Sequence, residues 1–448
     1  MSVSTTHFLN GDWCSASNAK TFQVTNPATG EVVDQAGVVE IGCNAPPNLR
    51  HIRLRPSPAR DRHIVDRGSL TDHDGPMESN QQRRRWRRFG VSDREAQRIV
   101  RELWSTLEDE RRVVASVEVS ANVSTNRVFL LRLDDETRVF AKVSNYGSGF
   151  LFREDHDRVN RLCCALANTR WSNFLARPLT KNGRVHTISG GPAGETWGVL
   201  YEEVERLETL PRILDNPQIE NLASEVASFH RACSDAGHRV SIPQTSTSIS
   251  SDVIHLLDLV SDRTASRTLQ LSVEEIDIVQ RHANRFLQSL EDFGYADLPR
   301  IPVFVDWNLG NFSIEKGPRE SQPDRFMLYS RWDYDWFRID TRLLDFYFLS
   351  RVSSQTGDRT EFSYGVHTLG EPRFLSFLRA YHATNPLTEA DVQLIVETYR
   401  FFILHYVLSV GDHFFRHDLW DVFRRDAVSR GLPSVDTFDR RPLLRALG

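Results

Sequence analysis

From about Ser92 onward the apolar and polar positions fall into regular periods, and the period changes along the chain. Ile99, Val100, Leu103 and Trp104 recur at helical spacing behind Ser92-Asp93-Arg94-Glu95, a capping-box sequence, which predicts a helix running toward Leu107. Strand-like runs follow at 117–119, 127–133 and 138–143. A helix is expected over about 151–167, then strands near 185–188 and 198–201. Beyond Tyr201 the period is helical. Ile219, Leu222, Val226, Phe229 and Cys233 share one face, and Ser272-Val273-Glu274-Glu275 caps a second helix carrying Ile276, Val279, Phe286, Leu287 and Leu290. Thr388 to Asp391 opens a third, densely apolar from Val392 to Val410.

The residues before Ser92 follow other rules. Alternation at Thr21-Phe22-Gln23-Val24, the Asn26-Pro27-Ala28-Thr29-Gly30 turn and Glu31-Val32-Val33 predict a strand–turn–strand unit. Residues 43–91 are rich in Arg, Pro, Ser and Asp without apolar periodicity, which predicts a disordered basic linker. Its run Arg83-Arg84-Arg85-Trp86-Arg87-Arg88 is read as solvated, and no nucleic-acid partner is expected. Met77 is one of three methionines and stands just before the organised region. It is expected to be a natural start, with 1–76 a fused remnant.

Composition adds bounds. With 448 residues, 40% apolar and 26% charged, the chain is long enough for two or three domains with sizeable cores. A formal charge of -5 favours neither a polyanion partner nor an acidic tail. Five scattered cysteines without CxxC or Cys/His spacing suggest neither a disulfide framework nor zinc, and fit a cytoplasmic protein. Neither a signal peptide nor a membrane span is expected, because the most apolar run, 399–410, is short and contains His405.

Three groups of residues carry candidate chemistry. Asp306 and Asn311 lie five apart in a loop after the apolar run Ile301 to Val305, which places a carboxylate and a carboxamide around one site. Alone, such spacing is common in polar turns. Asp333 in Arg331-Trp332-Asp333-Tyr334-Asp335-Trp336 also flanks an apolar run, as suits a hard-cation site. Lys142 lies within Val139-Phe140-Ala141-Lys142-Val143, where an ammonium must be exposed or paired; alone it reads as an edge-strand lysine.

In this order the motifs resemble the aminoglycoside phosphotransferase and choline kinase-like family over about 92–430. The Asp306-to-Asn311 stretch is similar to that family's catalytic loop, with Phe304 where the family has His. Asp333 and Asp335 resemble its I-D-W-E, and Asp345 its last helix-start Asp, although Asp340-Thr341-Arg342 departs from the usual G-D-P. The resemblance implies an α+β, bilobal protein-kinase-like fold: a small β-rich N-lobe over 92–203 and a larger helical C-lobe with catalytic loop and acceptor pocket over 204–448. A hairpin remnant over 1–42 and the linker would precede it. It also implies ATP and Mg2+ as cofactors and transfer of the γ-phosphoryl group to a hydroxyl of a small molecule. Asp306 would be catalytic, and Asn311 and Asp333 would hold the metal. Lys142 would meet the phosphates, paired with Glu154 or alternatively Asp157. Ser124 and Asn126 would lie on the phosphate-covering turn, which has no glycine, and Tyr201 and Glu203 at the adenine-reading hinge. Asp345 would buttress the loop and His230 would be structural. Arg351, Arg359 and His367 lean toward an acceptor with some negative charge. A pseudokinase serving as a nucleotide-binding or scaffold module is the alternative, motivated by Phe304 and the glycine-free turn. Residues 7–40 separately resemble the extreme N-terminus of aldehyde dehydrogenases; nothing afterwards continues that match, and no dehydrogenase activity is expected.

Overall fold

Ser92 opens the first organised helix by accepting the Glu95 backbone N–H on its hydroxyl at 3.2 Å. The computed structural model describes residues 91–120, 126–145, 149–190, 196–240, 248–262, 269–317, 325–358, 365–411 and 417–448. Before residue 91 it describes the backbone of five strands. The chain divides into two compact units, Met1–Gly149 with His186–Glu202, and Phe150–Val185 with Glu203–Gly448.

In the first unit, β1 (Thr6–Leu9) pairs antiparallel with β2 (Asp12–Ser15) and β5 (Arg53–Leu54), and β3 (Thr21–Thr25) pairs with β4 (Val32–Gly37). The expected strand–turn–strand unit is therefore present as β3 and β4. The basic run and Met77 lie outside the described residues. Helix α1 (Asp93–Leu107) buries Ala96, Ile99, Val100, Leu103 and Trp104. It packs on a five-stranded antiparallel sheet of β6 (Val113–Glu118), β7 (Arg127–Leu133), β8 (Arg138–Ser144), β11 (Thr187–Gly190) and β12 (Thr196–Glu202), in the order β11-β12-β8-β7-β6. The helix comes close because Gly198 has no side chain: a Cβ there would lie 2.6 Å from Leu103 Cδ1 and 2.7 Å from Ile99 Cγ2. His186 secures the helix end, with Nε2 at 3.0 Å from the Leu103 carbonyl.

The second unit contains α2 (Gly149–Leu166) from Phe150 onward and the small ribbon β9 (Thr180–Lys181) with β10 (Arg184–Val185). The rest is mostly helical. Helix α3 (Asn216–Ala236) is opened by a capping box between Asp215 and Gln218, and it buries the predicted Ile219, Leu222, Val226, Phe229 and Cys233. Capping boxes also open α4 (Ile249–Ser261), α5 (Val273–Asp292) and α8 (Glu389–Phe402). Between α5 and α8 lie α6 (Phe346–Val352) and α7 (Pro372–Thr384), and α3 packs along α7. The apolar run after Val392 is a buried helix that loosens into a π-helical turn over Ile403–Ser409. Among the described residues no helix is long and apolar enough to cross a membrane.

Two short ribbons interrupt the helices: β13 (Ile301–Val303) with β16 (Arg338–Asp340), and β14 (Phe312–Lys316) with β15 (Phe326–Arg331). The loops joining them carry the candidate chemistry.

Candidate active site

The chain leaves β13 at Val303 and reverses within three residues. Val305 adopts φ +59°, a region that β-branched residues rarely enter, and Asp306 N–H returns to the Phe304 carbonyl at 2.6 Å. Such a turn persists only where its surroundings over-determine it. Asp345, fully buried, does so. Its Oδ1 accepts the backbone N–H groups of Phe304 (3.2 Å) and Val305 (2.7 Å), and its Oδ2 accepts the Trp307 indole N–H (2.7 Å). His230 Nε2 donates to the same Oδ2 at 2.9 Å, while Nδ1 faces the Tyr381 hydroxyl at 2.7 Å. Burial raises the Tyr381 hydroxyl's pKa, so it keeps its proton and can donate to Nδ1. His230 thus acts by holding Asp345, and Asp345 by holding the loop.

The result is a half-buried Asp306 whose carboxylate also accepts the Asn308 backbone N–H at 3.0 Å. Burial first, and then the nearby Asp333 carboxylate, push the Asp306 pKa up to about 6. Asn311 closes the loop with its N–H on the Asn308 carbonyl (2.9 Å), and its own carbonyl accepts the Trp332 N–H at 3.0 Å. Because Phe312 pairs with Arg331 across β14 and β15, Asn311 and Trp332-Asp333 emerge from the same end of one ribbon. Asp333 has φ +73°, a left-handed conformation that Asp tolerates better than most residues. The backbone therefore puts Asp306 and Asn311 on one loop, with Asp333 at the ribbon end beside it.

The remaining candidates distribute as follows. Lys142 is buried on β8, the middle strand of its sheet, between Val128 on β7 and Val199 on β12, so it is not an edge-strand lysine. Asn126 is buried just before β7, and Ser124 lies outside the described residues. Tyr201 is buried near the end of β12 and Glu203 is exposed just beyond it. In the second unit Glu154 meets Arg158 on its own helix at 3.1 Å, and Asp157 accepts the Val185 N–H. Arg351 is buried, with its guanidinium 5.0 Å from the Phe348 ring; His367 is exposed and Arg359 lies outside the described residues.

Two functional candidates, Asp358 and Arg331, are given no role by the sequence motifs. Asp358 Oδ2 accepts the Leu309 backbone N–H at 2.7 Å, and its charge adds to the field that raises Asp306. Burial raises the Asp358 pKa in turn. Gly357 (φ +67°) allows this approach, since a Cβ there would lie 2.3 Å from the Arg212 carbonyl. Arg331, fully buried, donates from Nη2 to the Asp306 carbonyl at 2.6 Å.

Among the described residues no three His, Cys, Asp or Glu side chains could hold a metal by themselves. A carboxylate and a carboxamide at one ribbon end nevertheless fit Mg2+, which usually takes one or two protein carboxylates and completes its shell with phosphate and water.

No family model and no curated protein matches the sequence. Solved structures resemble the chain in fold at low sequence identity. A macrolide 2'-phosphotransferase type I is 15% identical, aligning 75% of this chain with 97% of that chain at a TM-score of 0.45. An amicoumacin kinase in complex with AMP-PNP, Ca2+ and Ami is 12% identical over 81% of this chain and 99% of that one, at 0.49. A choline kinase from Streptococcus pneumoniae is 12% identical over 75% and 99%, at 0.46. The aldehyde dehydrogenase likeness read at 7–40 finds no support in these comparisons.

Proposed function

We propose that this chain is an ATP- and Mg2+-dependent phosphotransferase that moves the γ-phosphoryl group to a hydroxyl of a small molecule. The observation that carries the reading is Asp306: a carboxylate on a loop locked by Asp345, with its pKa raised to about 6 by burial and by Asp333. Phosphoryl transfer asks the protein mainly to position and to stabilise charge. A carboxylate poised near neutrality can orient an acceptor hydroxyl and take its proton as the new bond forms. Asn311 and Asp333 would hold Mg2+, which neutralises charge on the phosphates when bound. Lys142 is proposed as the protein cation on those phosphates. Ser124 and Asn126 would belong to the phosphate-covering turn, and Tyr201 and Glu203 to the adenine-reading segment.

Phe304 does not by itself favour an inactive scaffold. The loop that a histidine would support is held by Asp345 and Arg331 and keeps Asp306 half-exposed. The test is ATP consumption across a panel of small hydroxyl compounds with Mg2+, using Asp306→Asn as the blank. At least one compound should raise consumption above that blank. Nucleotide binding with no consumption above the blank for any compound would favour the scaffold instead.

A further inference from the structure

The residue preceding Trp332-Asp333 is an arginine at the end of β15, fully buried in the second unit. Its backbone is fixed on both sides: Arg331 N–H donates to the Phe174 carbonyl, and the Arg331 carbonyl accepts from Ala176 N–H at 3.0 Å and Tyr334 O–H at 3.0 Å. Its side chain has one direct acceptor, the Asp306 carbonyl, 2.6 Å from Nη2. Among the described residues Nε and Nη1 have no hydrogen-bond partner. The guanidinium instead lies between two aromatic rings, its Cζ 4.7 Å from the centroids of both Phe304 and Trp307. Those rings flank Asp306 in sequence, so one planar group touches three successive parts of the loop.

A guanidinium without a directly paired carboxylate is costly to bury. If the strand end needed only volume, an apolar side chain would fill it at less cost. The charge is useful because Asp306, Asp333 and Asp345 all stand near enough to act on it. The rings give it a favourable electrostatic seat that water cannot compete for. Phe304, in turn, is a better seat than histidine would be, since its face binds a cation and cannot itself become one.

We propose that Arg331 is a positioning residue for phosphoryl transfer, fixing the Asp306 loop through its carbonyl and ring stack, a task for which the family the motifs resemble has a histidine at the position of Phe304. The inference rests on the phosphotransferase reading. Removing the cation should do two things: let the loop shift, and expose Asp306 to its acidic neighbours without compensation. The second effect has a definite sign. Arg331 favours the ionised form of Asp306, so its loss raises the pH at which that carboxylate ionises.

Turnover of Mg·ATP in the presence of the panel of small hydroxyl compounds serves as the probe, read for wild type, Arg331→Met, Arg331→Lys and the double variant Phe304→His/Arg331→Met, with Asp306→Asn as the blank. Arg331→Met should lower kcat about 100-fold, as expected for a small displacement of a catalytic group. KM for ATP should change less than about threefold, and the acidic limb of the pH profile should move up by about one unit. Arg331→Lys should keep the acidic limb but still lose about tenfold in kcat, because a point charge cannot stack as the planar fork does. The double variant should recover most of the rate. Arg331→Met at wild-type kcat with an unmoved acidic limb overturns the proposal. If Arg331→Met does not fold, Arg331→Lys at wild-type rate overturns it instead. Wild type no faster than Asp306→Asn with every compound of the panel fails the phosphotransferase reading itself, and the role of Arg331 falls with it.

Discussion

A carboxylate held above its ordinary range is a cost to the fold, and Asp306 is such a group. Between the usual aspartate value, about 3.9, and about 6, the folded state binds a proton that the unfolded state does not. Stability is therefore lost as pH rises through that window, and the full penalty is present above it. Asp306→Asn removes the penalty, so it should abolish turnover while raising the melting temperature at pH 7.5 by about 2–4 °C, with no gain at pH 4. Calorimetry at the two pH values checks this, and an equal shift at both would place the cause elsewhere. Asp333→Asn addresses the metal. It should leave the melting temperature within about 2 °C and raise the Mg2+ concentration needed for half-maximal turnover at least about tenfold. The placement of Asp306, Asn311 and Asp333 on one loop and the ribbon end beside it was legible from their positions next to short apolar runs. Arg331 and Asp358 were not: one sits on a strand end where its charge contradicts the pattern, and the other follows a glycine in a loop that fits no spacing rule.

At the scale of elements, the helices were readable from caps and periods: α1, α5 and α8 begin within a residue or two of their cap sequences, and α3 buries the face its period marked. The ribbon of β14 and β15 was not. Phe312–Lys316 does not alternate, since three buried residues are followed by two exposed ones. The Asp306 loop depends on Asp345, whose two oxygens accept four hydrogen bonds in a fully buried site. Asp345→Ala strands those donors and should cost about 3–5 kcal/mol in denaturant unfolding. A loss under about 1 kcal/mol would show that the loop is held otherwise. In the first unit, Gly198→Val places two methyl groups where Leu103 and Ile99 already pack. It should destabilise that unit by about 1–3 kcal/mol through overpacking.

At the scale of the whole molecule, the division into two compact units puts Lys142 in one and Asp306, Asn311 and Asp333 in the other. Sequence order anticipated that the lysine precedes the acidic motifs, but not that α2 beyond Gly149 groups with the helical unit, because contacts across the chain decide it. A chain beginning at Met77 should retain turnover, since every residue proposed for catalysis lies beyond it; loss of activity with folding intact would give the N-terminal segment a role. The phosphotransferase assignment is met most directly by following label from [γ-32P]ATP in the presence of Mg2+ and hydroxyl acceptors. The account predicts that label appears on an organic acceptor with wild type, and on none with Asp306→Asn or after chelation of the metal. Label transfer that survives Asp306→Asn, or no transfer by wild type to any acceptor, would contradict it.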